Sequence, residues 1–286
     1  MAGQPERQRM NHLRRSLQLL VLALTSTLAP PLASASSTSP GAPPETATSA
    51  SAEATPKPAS SERNYALYVP PKLEAANQPS PLVVVLHGSN QRGADLVAAW
   101  CDLANEQGFL VLGPDSLEPR KWNLQDDGPG FINTVIDAVR AQHPVDSRRI
   151  YLFGYSAGGL YALTLGLVES EYFAGIASYA ALWKQESDQA ALQLLRRKKL
   201  PVKLIIGEAD ALYTREAQRS MEQALRKQRV AVSSTVIEGQ GHSYADVSSE
   251  INRLAWAYLK DQKLPDEPVY IDYGLDDQSS AAPPAQ

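Results

Sequence analysis

Apolar residues in this chain fall into short runs with a period of two, or unbroken, separated by longer stretches in which they recur every three or four positions. Tyr65-Ala-Leu-Tyr-Val69 alternates like a strand and stops at Pro70-Pro71. Leu82-Val-Val-Val-Leu86 is continuous, as expected of a strand covered on both faces. A helix around 93–106 leads to a third strand, Phe109-Leu-Val-Leu112. After an irregular stretch from Pro114 to Gly130, Phe131, Ile132, Val135, Ile136 and Val139 share one helical face. The apolar strand Ile150 to Phe153 and a helical segment follow, then a weaker strand, Phe173 to Tyr179, and a helix to about Lys199. Val202 to Ile206 is another strand, a helix covers roughly 214–228, and Val230 to Ile237 is the last strand. The closing helix places Ile251, Leu254, Ala255, Tyr258 and Leu259 on one stripe. Such alternation predicts one α/β domain over residues 63–262, a mostly parallel sheet with helices on both faces.

The ends read differently. In residues 1–35, Arg14-Arg15 precede an apolar core from Leu17 to Leu28, and Ala33-Ser34-Ala35 offers small residues for cleavage, the layout of a secretory signal peptide. Met10 offers a second start for that leader. The core is short for a membrane span, which takes roughly 20 residues, and no cysteine follows it to carry a lipid. Residues 36–62 are dominated by Ser, Ala, Thr, Pro and Glu and predict a disordered linker. Residues 263–286, acidic and rich in small side chains, predict a flexible tail. The expectation is export to the periplasm or beyond, with no membrane anchor after cleavage.

Of the 286 residues, 27 are basic and 31 acidic, for a formal net charge of −4. Residues 1–35 hold four of the basic and one of the acidic residues, so their removal leaves −7. No basic patch argues for nucleic acid. Cys101 is the single cysteine, which excludes an intramolecular disulfide and fits a small buried hydrophobe on the 93–106 helix.

Candidate chemistry centres on Gly154-Tyr-Ser156-Ala-Gly158, a G-x-S-x-G turn between strand and helix. This elbow cramps its central residue, and Gly154 and Gly158 lack the Cβ atoms that would collide there. Ser156 is thereby lifted above the sheet beside the first amides of a helix, where negative charge is favoured. A serine hydroxyl needs a base, and the four histidines narrow the choice. His12 lies in the leader, and His143 ends a helix before Pro144. His87 belongs to Leu86-His-Gly-Ser89, leaving His242, in the glycine-bearing loop after the last strand. An acid must hold that imidazole's tautomer. Asp210, just past a strand end, is favoured over Glu208, expected on the rim, and Asp246, expected to flank the closing helix. The order Ser…Asp…His supports this choice. The oxyanion hole is expected from the backbone N–H groups of Ala157 and Ser89, with His87 positioning the loop.

With these pieces in place the chain resembles the α/β-hydrolase superfamily over nearly all of residues 63–262. Within it, the chain is similar to the secreted polyhydroxybutyrate depolymerase and feruloyl esterase group of carbohydrate esterases. The matching motifs are Leu86-His-Gly-Ser89, Trp122-Asn123 with Asp126-Asp127 and Gly130-Phe-Ile132, Asp146-Ser-Arg-Arg-Ile-Tyr151, the elbow, Gly207-Glu-Ala-Asp210 and Gly241-His242. The resemblance implies a triad of Ser156, Asp210 and His242. Tyr155 flanks the nucleophile as a candidate pocket residue; Trp122 either walls an acyl pocket or simply packs. Asp126 and Asp127 are expected to cap the helix starting near Phe131. Arg196-Arg-Lys-Lys199 reads as a solvated face, and Trp183 to Leu200 occupies the usual lid position.

The expected activity is therefore serine-catalysed hydrolysis of a small or oligomeric ester of short-chain, hydroxyalkanoate or feruloyl type. No cofactor is expected, and no His/Cys/Asp cluster has metal-ligand spacing; a monomer is expected. The competing enzymatic reading is a peptidase of the prolyl-oligopeptidase type, which usually carries a large accessory domain that residues 36–62 cannot form. A binding protein on the same scaffold is the third, though it has no need for all four catalytic elements.

Overall fold

The computed structural model describes residues 63–183 and 200–270. The expected leader, linker, the tail from residue 271 on, and the 184–199 segment with its basic run and all but the ends of the lid position lie outside them.

Strands β1 (Tyr65–Tyr68), β2 (Ser80–Leu86), β3 (Leu110–Pro114), β4 (Val145–Tyr155), β5 (Gly175–Tyr179), β6 (Val202–Gly207) and β7 (Val232–Ile237) form one sheet. Its order is β1-β3-β2-β4-β5-β6-β7. Only β1 is antiparallel to its neighbour; every other pair is parallel. Helices α1 (Pro71–Ala76), α2 (Gly93–Gln107), α3 (Pro129–Arg140), α4 (Ala157–Val168), α5 (Arg215–Lys227) and α6 (Ser248–Leu259) connect them. The expected α/β-hydrolase architecture is thus present. The short helix α1 was not expected; Pro71 opens it, and Asn77, at φ 47°, closes it.

Successive side chains of a strand point to opposite faces, so the unbroken run in β2 feeds two cores. Leu82, Val84 and Leu86 join Ile150, Leu152, Leu204 and residues of α3, α4 and α5. Val83 and Val85 join Tyr151, Phe153, Ile205 and residues of α2 and α6. Both faces are sealed: Leu82 to Leu86 are all 0% exposed. Truncating such a leucine to alanine costs about 2–5 kcal/mol, transfer and cavity terms together. On the outer edge of β7 the Val232 carbonyl accepts from Arg226 of α5, and Gln218 of the same helix donates to the Thr235 carbonyl. Cys101, expected to be buried, is half-buried on α2, and its thiol donates to Val97 O.

Two expectations are corrected. Asp126 and Asp127 do not cap α3, which starts at Pro129 after Gly128 with no side-chain cap. Asp127 faces inward instead, fully buried and paired with Arg63. The tail expected from residue 263 is docked as far as residue 270. Leu264 is buried, donates to Arg148 O and accepts from the Arg148 guanidinium, and Val269 N–H donates to Glu171 O. An acidic composition masked these few apolar anchors.

Candidate active site

Parallel strands leave their carboxyl ends along one rim of the sheet, where ligand sites of such folds lie. Register aligns those ends: Leu86 pairs with Gly154, and Gly154 with Ser178. The three candidate triad residues follow β4, β6 and β7 on that rim.

Ser156 stands between β4 and α4 at φ 51°, ψ −116°, a conformation that costs a non-glycine residue about 1–3 kcal/mol. Close packing holds it there. A Cβ on Gly154 would lie 2.2 Å from the Gly158 carbonyl oxygen, and one on Gly158 would lie 2.1 Å from that of Leu86. Ser156 N–H donates to Tyr179 O, tying the elbow to the neighbouring strand end.

His242 lies in the loop after β7, its side chain 28% exposed. Its Nε2 is 2.9 Å from Ser156 Oγ and its Nδ1 2.9 Å from Asp210 Oδ2. A carboxylate only accepts, so Nδ1 carries the proton and Nε2 is free to take one from the serine. The Asp210 side chain is fully buried. Its Oδ1 accepts the N–H groups of Leu212 (2.8 Å) and Tyr213 (3.1 Å), which aim Oδ2 at the imidazole. Glu208 sits on the rim as expected, paired with Arg215. Asp246 lies in the 3-10 turn before α6 and accepts from Ser243 Oγ.

Three tyrosines hold the imidazole and its loop: Tyr155, already a candidate, and Tyr213 and Tyr179, which sequence reasoning missed. Tyr213 stacks on it at 5.8 Å and 23°, and Tyr155 tilts against it at 5.6 Å. The Tyr179 hydroxyl lies 2.9 Å from Gly241 O and 3.0 Å from Ser243 O, holding the loop on either side of His242. Burial, aided by the Asp210 carboxylate, pushes the Tyr179 phenol up to about 12, so it stays a donor. The same two causes push Tyr155 and Tyr213 up. At a strand end and in a turn, Tyr179 and Tyr213 are indistinguishable from core aromatics in the sequence.

The two expected oxyanion donors come from adjoining elements: the first turn of α4 touches Leu86 and His87 through Gly158. Neither Ser89 N–H nor Ala157 N–H is engaged by another group among the described residues. Tyr155 lies against Gly88 on this side. Trp122, a candidate pocket wall or packing residue, is partly buried: its Nε1 donates to His87 O at 2.9 Å, and its ring stacks on Tyr161 at 5.0 Å. Among the described residues no group of three or more His, Cys, Asp or Glu side chains could hold a metal ion, and no helix is long and apolar enough to cross a membrane.

Sheet and site together define the α/β-hydrolase class. The chain belongs to the esterase PHB depolymerase family, whose family model matches residues 63–220. It is 32% identical to poly(3-hydroxyalkanoate) depolymerase C of Paucimonas lemoignei over 35% of this chain and 28% of that one. Among solved structures it superposes on a ferulic acid esterase with a TM-score of 0.55 at 17% identity, covering 68% of this chain and 91% of that one. It also superposes on a fluorophosphonate-binding serine hydrolase of Staphylococcus aureus, with a TM-score of 0.57 at 17% identity, covering 70% and 93%. The chain spans about half or less of the length of the curated relatives it matches.

Proposed function

We propose that the protein is an exported serine esterase that cleaves carboxylic esters through a covalent acyl–Ser156 intermediate. The observation that carries this reading is the continuous line from Ser156 Oγ through His242 to the buried Asp210, with both hydrogen bonds at 2.9 Å.

In the first half-reaction Ser156 Oγ attacks the ester carbonyl carbon while its proton passes to His242 Nε2. The carbonyl oxygen becomes an oxyanion facing the N–H groups of Ala157 and Ser89, and each such donor is worth about 10²–10³ in rate. Asp210 stabilises the imidazolium without taking the proton. As the tetrahedral intermediate collapses, the C–O bond to the alcohol breaks and the imidazolium gives the alcohol its proton. Water then attacks the acyl carbon as His242 Nε2 takes one of its protons; the acyl–Ser156 bond breaks, the imidazolium returns that proton to Ser156 Oγ, and the carboxylic acid leaves.

The names of the relatives support an acyl group of hydroxyalkanoate or feruloyl type, with short-chain esters as the simplest substrates. The leader-like residues 1–35 support export, and a monomer acting without cofactor is the accompanying reading. A panel of chromogenic esters of increasing acyl length, with a feruloyl ester, run on wild type and Ser156→Ala, tests it. Turnover by wild type with loss in the variant is expected. Equal turnover by both, or cleavage of prolyl amides but no ester, contradicts it.

A further inference from the structure

Resting on the esterase reading above, we propose that Asp127 is a positioning residue for the oxyanion hole, acting through the 115–128 loop, Trp122 and His87 on the peptide that presents Ser89 N–H.

The peptide unit between Gly88 and Ser89 has two ends. One is the Ser89 N–H; the other is the Gly88 carbonyl, which points the opposite way in a trans peptide. That carbonyl lies 2.8 Å from His87 Nδ1 and accepts Gln91 N–H at 3.2 Å. A carbonyl only accepts, so His87 Nδ1 carries a proton; its Nε2 accepts the Ser116 N–H at 3.1 Å. His87 is buried, and that desolvation lowers its pKa, consistent with the neutral form that both bonds require. Whatever fixes the His87 ring therefore fixes the direction of the Ser89 N–H.

Four bonds between the 87–90 loop and one segment hold it, one of them on the ring itself. Ser116 N–H and Trp122 Nε1–H donate to His87, at Nε2 and O respectively. Ser89 Oγ–H donates to Arg120 O at 2.8 Å, and Asn90 N–H donates to Pro119 O at 2.7 Å. This segment is irregular, with a single isolated bridge between Glu118 and Lys121, and so needs an anchor. The Asp127 carboxylate supplies it. Its Oδ1 accepts Leu117 N–H at 2.8 Å and its Oδ2 accepts Asn123 N–H at 2.9 Å, joining both ends of the segment. Arg63 pairs with Oδ1 and lies 3.8 Å over the Phe131 ring. The Tyr161 hydroxyl, on the helix that follows Ser156, donates to the Asp127 carbonyl, and its ring stacks on Trp122. Both oxyanion donors are thus referred to one residue: the Ser89 loop to the Asp127 carboxylate, and the helix that begins at Ala157 to the Asp127 backbone carbonyl. A fully buried charge is costly unless so paired.

The test compares wild type with Asp127→Asn and with Trp122→Phe, which keeps an aromatic ring against Tyr161 but removes the Nε1–H donor together with the pyrrole half of the indole. The readouts are kcat and KM for a chromogenic ester, and the Ki of a trifluoromethyl ketone, whose serine adduct carries the oxyanion. For Asp127→Asn the expected result is a fall in kcat of about 10- to 100-fold with KM within about twofold. For Trp122→Phe it is a fall of roughly 2- to 10-fold, the worth of one hydrogen bond. The ketone Ki should rise in proportion to the loss in kcat/KM, which a merely structural role does not bring about. Folded variants with unchanged kcat and Ki, or with only KM raised, overturn the proposal. Should Asp127→Asn fail to fold, Trp122→Phe decides alone by the same criteria. Wild type that cleaves no ester, or Ser156→Ala that cleaves as well as wild type, overturns the esterase reading and this proposal together.

Discussion

Gly158 lies so close to Leu86 that a methyl group on it would sit 2.1 Å from the Leu86 carbonyl oxygen and 2.5 Å from that of His87. Two backbones meet there, so neither can yield as a flexible side chain would. Gly158→Ala is expected to lower unfolding free energy by about 1–3 kcal/mol, measured by urea denaturation. Gly241, with nothing within 4 Å of its Cβ position, provides the contrast. Gly241→Ala is expected to stay within about 0.5 kcal/mol of wild type.

Asp210 holds the His242 tautomer through Oδ2. Asparagine keeps the shape but can present an N–H to Nδ1, which favours the wrong tautomer. Asp210→Asn is expected to lose about 10³–10⁴ in kcat, with KM little changed, in steady-state kinetics on one chromogenic ester.

The strands were legible because burial on both faces leaves unbroken apolar runs, as in Leu82 to Leu86, and the elbow was legible because backbone contact forces glycine at 154 and 158. Ser156, Asp210 and His242 could be picked out because each follows a strand, and parallel strands bring such loops to one rim. The network around Asp127 was not legible. Its partners Arg63, Leu117 and Asn123 are backbone groups or distant side chains, and an aspartate before a helix resembles a cap. The docked stretch at Leu264 escaped for a related reason: a few apolar contacts sat inside an acidic composition.

His87 carries a pH signature. Burial lowers its pKa below the ordinary 6.5, outweighing the carboxylates of Asp115, Asp127 and Asp95, which act to raise it. Well above 6.5 neither the folded nor the unfolded chain protonates this residue appreciably. As pH falls below 6.5 the unfolded chain binds the proton first, so this contribution to stability erodes until the lowered native value is passed. The unfolding free energy of wild type relative to His87→Gln is therefore expected to shrink between pH 7.5 and 5.5. A constant difference across that range would contradict a buried neutral His87.

Leu212 is 69% exposed, yet its N–H is fixed by the Asp210 carboxylate, next to the tyrosine stacked on His242. An exposed apolar side chain two residues from Asp210, on a backbone held by that carboxylate, suits contact with the apolar part of an ester. Covering part of a leucine is worth about 1 kcal/mol, so Leu212→Asp is expected to raise KM for a longer-chain ester roughly fivefold. The kcat should stay within about twofold, and a panel of acyl lengths shows whether the effect grows with the chain.

The most direct test of the central claim is peptide mapping by mass spectrometry after rapid acid quench of the enzyme with a chromogenic acyl ester. An acyl mass increment is expected on the peptide containing Ser156, appearing with the burst of released alcohol and absent from Ser156→Ala. Ester turnover without that adduct, or an adduct on another residue, would contradict the covalent mechanism.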